Sequence, residues 1–265
     1  MLKIETDILR GKKMIPRIIH YCWYGGQPLS GMAEKCLASW KEYCPDYEIK
    51  RWDESNTNLN ENHYIREAYD ARKWAFITDY IRLKVLFENG GIYMDTDVEV
   101  CKPLDSFLEE QAFSGFENNH QIPTGIMASE KGHPFIGRLL NYYNGRHFLK
   151  KDGSQDITTN VETITNIALE NGFVPNNERQ TVCGMTFYPH DYFCPKSHET
   201  GELLCTENTV CIHHFDGSWL TEEERKLTDV RQKLISKYGD RGYKLFKVYR
   251  YITFPWRRIR RMTRN

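Results

Sequence analysis

Residues 75–100 read AFITDYIRLKVLFENGGIYMDTDVEV, a run that passes from an amphipathic helix through a double-glycine stop into a short apolar strand ending in two carboxylates. Ile77, Ile81 and Val85, with Trp74 just upstream, fall on a 3.6-residue stripe, so a helix from about Ile65 to Asn89 with one buried face is expected. Asn89-Gly90-Gly91 supplies its left-handed stop. The strand Ile92–Met94 follows and delivers Asp95 and Asp97. Side chains at i and i+2 of an extended strand share a face, and a slight bend lets both carboxylates converge on one cation. Hard oxygen ligands suit Mg²⁺ or Mn²⁺, which keep positions open for phosphate oxygens. Alone, an Asp-x-Asp pair also fits a polar turn after a strand, so the surrounding residues carry the distinction.

Upstream, Arg17–Trp23 (RIIHYCW) is rich in β-formers and closes on Gly25-Gly26. A helix at about Met32–Tyr43, a Pro45-Asp46 turn and a strand at Tyr47–Trp52 complete a β-α-β unit, the opening of a parallel α/β sheet. Downstream, Val98–Cys101 resumes extended structure. Between residues 105 and 215 short apolar runs alternate with turns; helices are expected at Phe135–Tyr143 and Val161–Asn171, and the strand order is not legible. A helix from Glu222 to Lys237 opens on a Thr221/Glu224 capping box.

At 265 residues with 40% hydrophobic side chains, the chain has ample material for a folded core. No apolar run reaches the length that spans a bilayer, and residues 1–13 lack the apolar segment of a signal peptide, so a cytoplasmic location is expected. The eight cysteines form no C-x-x-C pair and read as reduced thiols. The zero net charge hides a polarity: residues 241–265 carry nine Lys or Arg and no acid, leaving 27 basic against 36 acidic side chains in residues 1–240. The acidic body argues against nucleic acid, and the basic end calls for an anionic surface. In the tail Tyr243–Asn265, aromatic and basic residues interleave as at a membrane headgroup layer, although a helix packed on the body with a solvated basic face is the alternative.

Trp23, where the first strand ends, fits either a base-stacking residue, since open α/β sheets bind ligands at that edge and Gly25-Gly26 allow close approach, or a core tryptophan. Asp79 and Arg82, one helical turn apart, fit hydroxyl and charge recognition or, more simply, a surface ion pair. His213 and His214 lie on opposite faces of a strand, so at most one of them completes a metal shell.

Three motifs in order, IPRIIHYCWYGG (residues 15–26), the run at 75–100 and IHHFDGSW (212–219), resemble glycosyltransferase family 32, the DXD sugar transferases, in their bacterial capsular-polysaccharide branch. The likeness spans about Met14–Trp219 and includes YPHDYFCPK (188–196). The chain is more distantly similar to the catalytic domain of the large clostridial glucosylating toxins. The resemblance implies a GT-A fold: a single nucleotide-binding, Rossmann-like α/β domain with a mixed sheet flanked by helices, over residues 1–220, and a C-terminal helical extension over 221–265. It implies a metal-dependent retaining transfer of a hexose from a nucleotide sugar, a UDP-hexose before a GDP-hexose, to a saccharide; the basic aromatic tail adds the expectation of a lipid-linked saccharide acceptor, reached from the inner face of the cell membrane. Carried over by position, Trp23 stacks on the base, Asp79 and Arg82 hold ribose and sugar hydroxyls, and Asp95 approaches ribose and sugar. Asp97 binds the Mn²⁺ or Mg²⁺, and His214 matches the late metal ligand, with Asp216 its rival because the toxins use a carboxylate there. Ser218 and Trp219 match a loop over the β-phosphate.

Overall fold

The computed structural model describes residues 14–218 and 220–253. In chain order its elements are β1 (Ile18–Cys22), α1 (Gly31–Tyr43), β2 (Glu48–Trp52), α2 (His63–Asp70), α3 (Trp74–Asn89), β3 (Gly91–Met94), β4 (Val98–Val100), β5 (Ala112–Gly115) and β6 (Ile126–Ser129). Then come α4 (Pro134–Asn141), α5 (Asn160–Leu169), β7 (Gln180–Val182), β8 (Met185–Tyr188), α6 (His190–Phe193), β9 (Cys211–His213), α7 (Glu222–Tyr238) and α8 (Asp240–Thr253).

Seven strands form a mixed sheet in the order β2-β1-β3-β6-β5-β8-β7. β1 runs parallel to β2 and β3, and β5 parallel to β8, while β6 is antiparallel to both its neighbours. β4 and β9 pair separately as an antiparallel ribbon. This is the α/β architecture with helices flanking a mixed sheet that the sequence implied. The chain divides into two compact units, one running to Pro195 and including Cys205–Asp216, the other comprising Lys196–Leu204 and the chain from Gly217 onward. The whole seven-stranded sheet and the β4–β9 ribbon belong to the first.

The long helix expected over Ile65–Asn89 is two helices. Arg72 takes a left-handed φ of 55°, and its N–H and that of Lys73 bond back to Tyr69 and Ala68, closing α2 before α3 begins. The Asn62 side chain caps α2. The split leaves the apolar stripe of α3 intact: Ile77, Ile81 and Val85 are fully buried. Gly90 then ends α3, with its N–H on Leu86 O. A Cβ on Gly90 would lie 2.7 Å from Lys131 N, and one on Gly91 2.7 Å from Ile18 O. Both glycines therefore let β3 enter the sheet tightly, Gly91 against β1 and Gly90 against the end of β6.

β3 is buried throughout, as a central strand should be. Its alternation sends Ile92 and Met94 into the core layer shared with Trp40 of α1, and Tyr93 into the layer shared with Ile77 and Ile81 of α3. That alternation fixes what comes next: Asp95, two residues beyond Tyr93, continues on the α3 side. In the second unit, the capping box expected at Thr221 and Glu224 is present, and α8 extends the helical part beyond α7. No helix among the described residues is long and apolar enough to cross a membrane.

Candidate active site

Asp95 emerges from the end of β3 with its backbone N–H bonded to Gly125 O, just before β6. Its carboxylate accepts from Tyr93 Oη at 2.8 Å and lies 3.4 Å from Arg82 Nη2. Asp97 sits two residues on, where the chain turns from β3 into β4. Its Oδ2 accepts the Asp216 N–H at 2.9 Å and its Oδ1 lies 3.3 Å from His213 Nε2. Ligand atoms of Asp95, Asp97 and His213 all lie within 4.8 Å of one another, the one such cluster among the described residues.

Electrostatics bind the cluster together. Burial favours the uncharged form of Asp97, but the His213 imidazole and the Asp216 N–H outweigh it and hold the carboxyl below its ordinary value. Burial likewise opposes a charged His213, and the Asp97 carboxylate more than offsets it, so the imidazole sits well above its ordinary value. Two carboxylates and an imidazole, with further positions left for phosphate oxygens, are a fitting donor set for Mn²⁺ or Mg²⁺. Ligation requires neutral imidazole, so uptake of an ion displaces the His213 proton.

Of the two late histidines, the structure brings His213 to the carboxylates and turns His214 away. In β9, Cys211 is buried and His213 shares its face by the two-residue period, while Val98 of β4 is its register partner. His214 has its Nε2 2.7 Å from Glu99 Oε2, an oxygen that also meets Lys35 Nζ at 2.7 Å. The His214 N–H bonds Asp97 O, so this residue contributes backbone to the site. Phe215 then adopts a left-handed φ of 55°, rare for a bulky residue, which carries the Asp216 N–H back onto Asp97. Asp216 thus also meets Asp97 through its backbone.

Arg82 and Asp79 form no surface pair; they are only 4% and 8% exposed. The guanidinium of Arg82 reaches Asp79 Oδ1 at 3.3 Å, the Asp95 carboxylate and Thr124 O, and stacks 4.7 Å from the Tyr93 ring. Burial opposes the charge on Arg82, but Asp95, Tyr93 and Asp79 together raise its pKa. Burial also pushes Asp79 up to about 7 in spite of Arg82. The backbone of Asp79 is tied to α5 through Asn160 Nδ2, whose Oδ1 accepts from Tyr143. Arg82 therefore holds Asp95 to the loop before β6.

Where β1 ends, Trp23 is half-buried with its Nε1–H bonded to Gln27 O, closing the glycine turn. A groove of about 730 Å³ opens here, lined by Gly25, Gly26, Glu54, Tyr69 and Trp74. The Trp74 indole lies on Gly25, where a Cβ would come within 2.9 Å of it, and Glu54 accepts the Gly25 N–H. Trp74 reads in the sequence as one more member of the α3 stripe; its place at the first residue of α3, after the α2–α3 break, is what exposes it to this groove. Ser218 is exposed and belongs to the second unit, where its carbonyl accepts from Arg225. Trp219 lies outside the described residues.

Gly125 is the tightest point of the site. A Cβ there would lie 2.7 Å from His213 Nδ1. Gly125→Ala is accordingly expected to push the imidazole off the cluster and weaken Mn²⁺ binding by about 10- to 100-fold, the effect of disturbing a ligand's support. Titration of the folded variant with Mn²⁺ checks this; unchanged affinity would place His213 outside the metal shell.

Residues 32–114, which contain Asp79, Arg82, Asp95 and Asp97, match the family model described as a glycosyltransferase sugar-binding region containing the DXD motif. Inositol phosphoceramide mannosyltransferase 3 of Schizosaccharomyces pombe is 32% identical over 133 residues, covering 48% of this chain and 36% of its own length. The chain thus spans about a third of that relative. An uncharacterized glycosyltransferase, L373, of Acanthamoeba polyphaga mimivirus is 26% identical over 232 residues, 78% of this chain and 84% of its own. Among solved structures, the PaToxG glycosyltransferase aligns at a TM-score of 0.46 and 20% identity, over 60% of this chain and 69% of its own. The Asp95/Asp97 pair thus lies inside the region that is similar to the DXD-containing glycosyltransferase model, and at the end of a central strand.

Proposed function

We propose that this protein is a metal-dependent, retaining hexosyltransferase that takes its sugar from a nucleoside diphosphate donor, with residues 1–220 as the transferase domain. The observation that carries the reading is the convergence of Asp95, Asp97 and His213 within 4.8 Å at the end of β3, backed by a buried arginine. When bound, a Mn²⁺ or Mg²⁺ ion would neutralise charge developing on the departing diphosphate. Asp97 and His213 are the ligands we assign to it, with Asp95 shared between ion and donor. Arg82 holds Asp95 in position, and Asp79 and Arg82 border the donor's ribose and sugar. Trp23 and Trp74 flank the turn at Gly25-Gly26 and offer flat surfaces for the base. Ser218 and Trp219 are assigned to the β-phosphate.

The acceptor we assign is a saccharide carried on a lipid, in surface-polysaccharide synthesis, reached by a protein held peripherally at the inner face of the cell membrane through its basic tail. The fungal relatives are named for transferring mannose to an inositol phosphoceramide. That name favours a lipid-borne acceptor and adds GDP-mannose to the UDP-hexoses as a donor to be tried. Thermal-shift measurements with UDP- and GDP-sugars in the presence of Mn²⁺, followed by hydrolysis of the best donor, test the proposal. One donor is expected to stabilise the protein only with the metal present and to be hydrolysed slowly in the absence of acceptor. A chain that no nucleotide sugar stabilises would overturn it.

A further inference from the structure

The second unit carries a surface that sugar transfer does not use. α7 and α8 form a hairpin about Gly239, which takes a φ of 55°. They meet so closely that a Cβ on Gly242 would fall 1.9 Å from Leu234 O. Gly242 and Phe246 are the buried residues of α8. Beside that packed face, Leu245, Val248, Tyr249 and Ile252 recur at i, i+3, i+4 and i+7, one continuous stripe on the helix. They are 48%, 56%, 39% and 70% exposed. Arg241 and Lys244 border the stripe, Lys247 and Arg250 lie on the far side of the helix, and Asp240 is the one acid of the helix. Lys233 and Lys237 of α7 are exposed as well.

We infer that α8 lies in the plane of an anionic lipid leaflet, with Leu245, Val248, Tyr249 and Ile252 among the acyl boundary and the bordering basic side chains on the headgroups. The inference deepens the membrane reading of the tail by assigning it to described residues, and it is independent of the sugar site. Charge selects the occupant. A second copy seated on this stripe would bring the bordering cations Arg241 and Lys244 of both copies together on strongly basic helices, whereas an anionic leaflet neutralises them. A purely electrostatic partner would leave the apolar stripe in water. At 14 residues, α8 is about 21 Å long, too short and too charged to span a bilayer, so it lies on the surface.

Sedimentation of the full chain with vesicles tests this. Phosphatidylcholine vesicles containing phosphatidylglycerol are expected to bind it at least about tenfold more tightly than phosphatidylcholine alone, since each basic residue at an anionic leaflet strengthens binding roughly fivefold. Two triple variants, L245E/V248E/I252E and K244E/K247E/R250E, are each expected to lose at least about tenfold in that binding while retaining Mn²⁺-dependent nucleotide binding. A polarity-sensitive dye on Ile252→Cys supplies a second readout and is expected to shift to the blue on anionic vesicles. Vesicle binding that survives both triple variants, or a dye that does not shift, overturns the inference. A dimer dissolved by the apolar variant, with no vesicle binding, would show that a second copy covers the stripe. Loss of nucleotide binding in the wild-type protein would instead count against the sugar site alone.

Discussion

Asp97→Asn is expected to abolish sugar transfer, lowering turnover by at least about a thousandfold, and to remove the stimulation of donor binding by Mn²⁺. The substitution keeps the shape and the acceptor oxygen that receives the Asp216 N–H, so the local fold should survive. What it removes is the charge. An amide is a poor ligand for a hard divalent ion and leaves the diphosphate with less to balance it. Parallel measurement of the melting temperature separates loss of function from loss of fold. Wild-type turnover in this variant would show that the carboxylate pair is a polar turn after a strand.

The second large effect distinguishes adjacent residues. His213→Ala is expected to lower Mn²⁺ affinity by about 100-fold or more, while His214→Ala leaves it within about threefold, because one imidazole faces the carboxylates and the other faces Glu99. Isothermal titration of Mn²⁺ into each folded variant reads the difference directly. A loss in His214→Ala with none in His213→Ala would restore the assignment that the family resemblance implies and reject the register of β9. Substituting His214 also removes a partner of Glu99, an effect confined to a partly exposed salt bridge with Lys35 and worth about 1 kcal/mol or less.

The parts of this account legible in the sequence are those where local chemistry and tertiary structure agree. The stripe Ile77, Ile81 and Val85, the Gly90-Gly91 stop and the apolar strand each carry a local signal, and together they place Asp95 and Asp97 at the end of a buried strand. The capping box at Thr221 is equally local. The break between α2 and α3 was hidden because Arg72 is not a residue type that announces a left-handed turn. The strands β5 to β8 are three or four residues long, and most of their residues are buried. Such strands show no alternation, so neither their order nor the antiparallel placement of β6 could be read. The choice between His213 and His214 turned on a single residue of register in β9, which depends on pairing with β4 more than a hundred positions away. Trp74 is not legible as a site residue for a related reason: its periodicity fits the buried stripe, and only the helix break shows it at the mouth of a groove. In α8 the exposed stripe has the spacing of a buried face, and only the packing of Gly242 against Leu234 shows which side α7 covers.

Asp95, Asp97 and His213 are assigned to hold a divalent ion against the diphosphate of a nucleotide. Calorimetric titration of UDP and of GDP into the protein, with Mn²⁺ and then in EDTA, tests it most directly. Binding of one nucleotide that requires Mn²⁺ and disappears in Asp97→Asn is the predicted result. Nucleotide binding of equal strength in EDTA, or none under either condition, would contradict it.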